Sequence, residues 1–371
     1  MIVDLGTRAP TIEVDVSAHD VASCHPEGEG VVLGGDDRGT AVAAMGTAFS
    51  LWCRRNADNI SGVISVGGGG GTSMACSGMR ELPYGIPKFM VSTLASADTA
   101  PYVGTSDIVM VPSITDVAGL NRLSRVILSN AAHALLGVVT APRPAAAEDK
   151  TAIGLTMFGV TTTCVNAITD RLRDRFDCLV FHATGIGGRS MERLLEQGFT
   201  SGIVDITTTE IADLLFGGVL AADHDRLDVI ARTGAPWVGS VGALDMVNFW
   251  APDTIPAHYR DRKILRTQSE HHPDADNRAG KTPGWVDGSV KKLNACHGPV
   301  RLLIPENGIS ALDIEGGAFW DPEVDAALFD ALRETIEDDN RLVFLPYHIN
   351  DPAFAAAVAD TFEELMEPRC H

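Results

Sequence analysis

Residues 63–77 read VISVGGGGGTSMACS, and this stretch decides the fold. A short apolar run is cut off by five glycines, Gly67, Gly68, Gly69, Gly70 and Gly71, and Thr72 and Ser73 then open a helical pattern. Strand, glycine turn and helix are the first half of a strand–helix–strand unit, whose next strand runs parallel to the first. Glycine lets the main chain approach a ligand and turn its amides inward. The first helical turn adds N–H groups without internal partners and the positive end of the helix dipole. The expected result is an anion site, most naturally for phosphate. The other reading is a tight crossover with Thr72 or Ser73 as helix cap. The spacing fits neither G-x-G-x-x-G nor Walker A.

The same alternation continues outward. Strands are expected at 2–6, 62–67, 87–93, 107–113 and 135–140, then at 152–159, 178–184, 202–207, 236–242, 300–305 and 341–346. Helices are expected at 72–81, 120–134, 164–174, 189–197, 210–217 and 322–335. This predicts an α/β protein of two doubly wound, Rossmann-like domains with mainly parallel sheets. Residues 140–150, TAPRPAAAEDK, read as the linker, giving domains at 1–145 and 146–371. A polar excursion at about 253–298 interrupts the second.

A formal net charge of −20 argues against nucleic acid and membrane surfaces as partners. The acid side holds 32 Asp and 17 Glu, the basic side 23 Arg and 6 Lys, a bias that also fits a high-salt cytoplasm. Seven scattered Cys without a C-x-x-C pair fit a reduced, cytoplasmic setting, and no signal peptide is read at the start. The uncharged run from Val126 to Pro142 is expected to be a buried helix and strand rather than a membrane span.

Three further loops are read as following strands of the first half, and they carry hydroxyls and carboxylates suited to phosphate, ribose or Mg²⁺. They contain Ser92 and Thr93, Gly104, Thr105 and Asp107, and Asp116. Lys88 is the single Lys before residue 150. In the second half, six loops after strands carry His182, Glu210, Asp245, Glu306 and His348 and are expected to converge on one sheet edge. The two His are candidate acid–base groups and the three carboxylates their partners. A relaxed Walker A at 275–282 lacks the flanking strand and helix, and the His271/His272/Asp274/Asp276 cluster lacks helical metal-ligand spacing, so no metal site is expected.

The runs GVISVGGGGGTSMACSGMRELPYGIPKFMVSTLASADT, GLTMFGVTTTCV, VFHATGIGGRSME, DITTTEIADLLFGGVL and HINDPAF resemble the ATP-binding family named after the tomato mosaic virus resistance protein. The resemblance covers nearly the whole chain. It implies two Rossmann-like domains, ATP bound by the first, and a homodimer; Mg²⁺ with the nucleotide is expected from the carboxylate-bearing loops. Carried over, the ATP site would involve Gly67 to Gly71, Thr72, Ser73, Ser92, Thr93, Gly104, Thr105 and Asp107, chosen by their place in the chain and not as a family property, and the loop reading adds Asp116. Family members open with a further strand, loop and helix before the equivalent of residues 2–6, so the first sheet is expected to lack a strand.

The leading expectation is a cytoplasmic ATP-binding protein, an intracellular metabolic enzyme with a second polar cleft for a small polar or anionic substrate. An ATP-independent hydrolase or lyase acting on a phosphorylated or carboxylated substrate is the alternative, and a non-catalytic regulator the third.

Overall fold

Parallel strands form in each of two compact units, Met1–Ala146 and Ala147–His371. The computed structural model describes residues 1–6, 12–35, 37–142, 150–259, 262–266, 273–276 and 286–367.

In the first unit β1 (Val63–Gly67), β2 (Lys88–Ser92) and β3 (Ile108–Pro112) form one parallel sheet in that order. The apolar β2 is buried throughout, as a central strand requires. Helices α1 (Ala18–Ala22), α2 (Glu29–Leu33), α3 (Arg38–Asn56) and α4 (Gly69–Met79) share a core, followed by α5 (Ala100–Val103) and α6 (Arg122–Thr140). Helix α3 had no strong periodic signal because small residues let it lie close against α4. A Cβ at Gly78 would stand 2.3 Å from the Phe49 ring.

Three readings of this half are corrected. Residues 135–140 are the end of α6 rather than a strand, because nothing breaks the helix that Asn121 caps. The Val126–Pro142 run is therefore neither a strand nor buried: Leu136 is 58% and Val138 54% exposed. Helix α6 is also the one helix among the described residues long and apolar enough to cross a membrane. It nevertheless packs on β1 and β2. Residues 2–6 do not join the sheet; they make a single bridge, Val3 with Val16.

The second unit runs β4 (Thr151–Met157), α7 (Thr162–Leu172), β5 (Phe176–His182), α8 (Ile186–Glu196), β6 (Ile203–Thr207), α9 (Thr209–Phe216), α10 (Asp228–Thr233) and β7 (Trp237–Gly242). It continues through β8 (Met246–Asn248), β9 (Ile264–Arg266), β10 (Pro273–Asp276), α11 (Lys291–Asn294), β11 (Val300–Pro305), α12 (Pro322–Thr335), β12 (Leu342–Leu345) and α13 (Pro352–Met366). Six strands pair in parallel in the order β12-β11-β7-β6-β4-β5. Strand side chains alternate between two cores: Ile203, Trp237 and Leu302 enter one, Val204, Val238 and Leu303 the other. Helices α8, α10 and α12 cover the first face and α7 and α13 the second. That is the doubly wound arrangement.

Part of the polar excursion folds, with β10 pairing antiparallel between β8 and β9. His271, His272 and residues 277–282 of the relaxed Walker A lie outside the described residues.

Candidate functional site

The carboxyl ends of β1, β2 and β3 bring Gly67, Ser92 and Pro112 into register. The glycine run turns sharply there. A Cβ on Gly67 would stand 2.9 Å from the Gly71 Cα, so only glycine makes this crossover. Gly68 is the N-cap of α4, and no side chain caps the helix. Its first amides therefore lack both internal and side-chain acceptors. Gly69 is exposed and Gly68, Gly70 and Gly71 are half-buried; a Cβ at Gly69 would come into ordinary contact with Leu94 at 3.7 Å, and one at Gly70 with Val42 at 3.5 Å.

Neither Thr72 nor Ser73 fills the capping role. The Thr72 and Ser92 hydroxyls are buried and bonded to each other at 2.6 Å, and Ser92 Oγ accepts the Leu94 N–H at 3.0 Å. These two hydroxyls brace the loops from beneath. Thr93 stands exposed beside the turn, and Asp116 is exposed on the loop after β3, accepting its neighbour Val117 N–H at 2.7 Å. Also at this edge, Val66, Val91, Ile127 and Leu128 wall an apolar slot of about 160 Å³ that Ser113 and Thr115 close. Between those two, Ile114 holds a φ of 63°, a strained conformation for a branched residue.

Gly104, Thr105 and Asp107 are corrected. They precede β3 and lie at the amino edge of the sheet, about 16 Å of strand from the glycine turn at ~3.3 Å per residue. Asp107 has other work there: it accepts from Lys88 Nζ at 2.5 Å and from the Gly85 N–H at 2.8 Å. Burial opposes its charge, but the Lys88 and Gly85 contacts outweigh it and hold the carboxyl below its usual range. Lys88, wholly buried, is thereby committed away from the glycine turn. No Lys or Arg occurs in 67–73, 92–98 or 112–121.

In the second unit all five candidates lie at the carboxyl edge, but they do not form one site. His182 ends β5 and His348 follows β12, five places apart in the strand order, or ~24 Å at ~4.8 Å per strand. Glu306, after β11, pairs with Arg333 at 3.5 Å in an open cleft of about 700 Å³ that Trp320 and His348 also line.

His348 is locked. Its Nδ1 accepts the Asn350 N–H at 3.1 Å, so its Nε2 carries the proton and donates to the Ser310 carbonyl at 2.9 Å. Both nitrogens of a neutral ring are used structurally, which corrects its acid–base assignment. Asp245 is also interior, accepting from Ser310 Oγ at 2.7 Å.

Glu210 is fully buried and binds the N–H groups of Gly185 at 2.6 Å and Gly188 at 3.1 Å, filling the start of α8 with an internal anion. Glycine at 188 makes room, since a Cβ would sit 2.1 Å from Glu210 Oε2. Its partner is Arg226, which also binds Glu192 at 2.7 Å and Asp205 at 2.8 Å. Three carboxylates on one buried guanidinium hold Arg226 charged against its burial, while burial pushes Glu210 and Glu192 upward. Glu210 is thus a brace out of reach of substrate, which corrects its catalytic assignment.

His182 differs. Its Nδ1 must donate to the Met157 carbonyl at 3.1 Å, because a carbonyl only accepts, and its ring stacks on Phe158 at 5.2 Å. It lines a cleft of about 690 Å³ with Arg189 and Trp250. Sequence reasoning gave no role to Asp213, Arg226 or Trp250. Asp213 holds two of the cleft's walls, accepting from the N–H of Leu220 at 2.8 Å and of Asn248 at 2.9 Å. Burial pushes its carboxyl up to about 7, against those hydrogen bonds.

Two family models match the chain, the N-terminal domain of the uncharacterised protein family UPF0261 over residues 1–144 and its C-terminal domain over 150–366. A UPF0261 protein of Rhizobium meliloti is 55% identical over 376 residues, covering 99% of this chain and 92% of its own length. One from Clostridium tetani is 42% identical, covering 96% and 92%. The ToMV resistance protein Tm-1(GCR237) of Solanum lycopersicum is 44% identical over 96% of this chain, which spans 48% of that protein.

Proposed function

The chain belongs to the uncharacterised protein family UPF0261, and from that premise we propose that it is a nucleotide-binding protein taking ATP at the turn from Gly67 to Gly71. One observation carries the reading: α4 begins on glycines with no side-chain cap, and Gly69 in its first turn is exposed. Those amides and the helix dipole hold the phosphates. The apolar slot behind Val66 and Val91 takes the base, and Thr93 and Ser73 border the phosphates.

With no Lys or Arg in residues 67–73, 92–98 or 112–121, those loops meet a polyanion with amides and hydroxyls. The nucleotide therefore binds as its Mg²⁺ complex, the cation drawing on the exposed carboxylate of Asp116. The six described Cys are free, which supports a reducing, cytoplasmic setting. The exposed apolar residues of α6 support a homodimer.

Thermal unfolding with Mg·ATP, ADP, inorganic phosphate and ATP plus EDTA tests the reading. Mg·ATP at 100 times its Kd adds ~2.7 kcal/mol of stability, and EDTA removes most of that gain. Unfolding that no nucleotide shifts rejects it.

A further inference from the structure

The second unit holds a cleft that the nucleotide reading does not use, at the carboxyl ends of β4 and β5. It lies where the chain turns back across the sheet: β5 was added on one side of β4, β6 on the other. Open α/β sheets bind ligands outside the carboxyl ends of their strands at such reversals.

Three features define what fits. The first is a proton acceptor. Met157 O takes the Nδ1 hydrogen of His182, so the neutral ring presents a bare Nε2, and stacking on Phe158 fixes the ring plane. His182 is exposed and lines the cleft, unlike the locked His348. The second is charge. In a chain of net charge −20, none of the described residues lining this cleft is Asp or Glu, and the one charged group is Arg189. Its guanidinium is steadied by the Gly185 carbonyl at 3.2 Å and by Asp223 at 3.0 Å. The third is apolar wall: Ile186 is 45% and Trp250 50% exposed.

We propose that this cleft binds a small hydroxy acid with an apolar body, the hydroxyl donating to His182 Nε2, the carboxylate meeting Arg189 and the body lying against Trp250. In a reaction, His182 takes the hydroxyl proton onto Nε2 and leaves the electron pair on oxygen. Glu210 and Asp213 act beneath as positioning residues, through Gly185 and through Leu220 and Asn248.

The test is calorimetric titration of the full chain with phenyllactate, phenylpropionate (no hydroxyl) and phenethyl alcohol (no carboxylate). Phenyllactate binds saturably, and each truncated probe binds about tenfold weaker, the scale of one lost polar contact. His182→Phe keeps the stacked ring, and Met157 O stays satisfied by the Ala183 N–H at 2.8 Å. This variant loses the preference for the hydroxyl and keeps that for the carboxylate. Arg189→Met does the reverse. Circular dichroism checks that both fold. Absence of saturable phenyllactate binding, or preferences unchanged in folded variants, overturns the proposal. The outcome is independent of nucleotide binding in the first unit.

Discussion

Asp213 shows how one side chain ties stability to pH. Its carboxyl is raised from 3.8 to about 7, so between those values the folded chain holds a proton that the unfolded chain has released. Stability from this group is therefore complete below pH ~4 and is lost as pH rises toward 7. Asp213→Asn does not titrate, so the variant gains on the parent as pH rises. Urea midpoints at pH 4.5 and 7.5 should show a relative gain above ~1 kcal/mol. A constant difference contradicts the assignment. Arg226 tests the buried network. Arg226→Met strands Glu192, Asp205 and Glu210 without a counter-charge and costs ~3–5 kcal/mol. Adding Glu210→Gln recovers part of that loss; a cost below ~1 kcal/mol means the network is not the brace described.

Elements were more legible than residues. The runs at 62–67, 87–93 and 107–113 became β1, β2 and β3, and the later ones the six-stranded sheet, because apolar runs of strand length stand out in sequence whether the strand is buried throughout, as β2, β6 and β7 are, or exposes one face, as β1 and β3 do at Ile64, Val66 and Val109. Residues 135–140 misled for the same reason, since a β-branched pair at the end of a helix looks like a strand start. The site was half legible. The glycine turn declares itself in sequence. Whether a loop precedes or follows its strand does not, and Gly104 to Asp107 went to the wrong edge. Nothing local marks Arg226, within DHDRLD, as buried, because its burial comes from carboxylates 16 to 34 residues away.

For the whole molecule, a net charge of −20 and a proposed ATP site whose loops 67–73, 92–98 and 112–121 hold no Lys or Arg pull in opposite directions. In the proposed site, main-chain dipoles at the uncapped glycine turn stand in for side-chain cations. Substitution at Gly69 separates that role from plain helix capping. A Cβ there has room, and an acidic residue in the first turn favours the helix by ~0.3–1 kcal/mol. On the proposed reading, the same carboxylate takes the place of a phosphate. The deciding measurement is titration of Mg·ATP into the parent chain and into Gly69→Glu. Saturable binding to the parent, lost in a variant of equal or higher thermal stability, is the predicted result. Equal affinity in both chains, or none in the parent, contradicts the account.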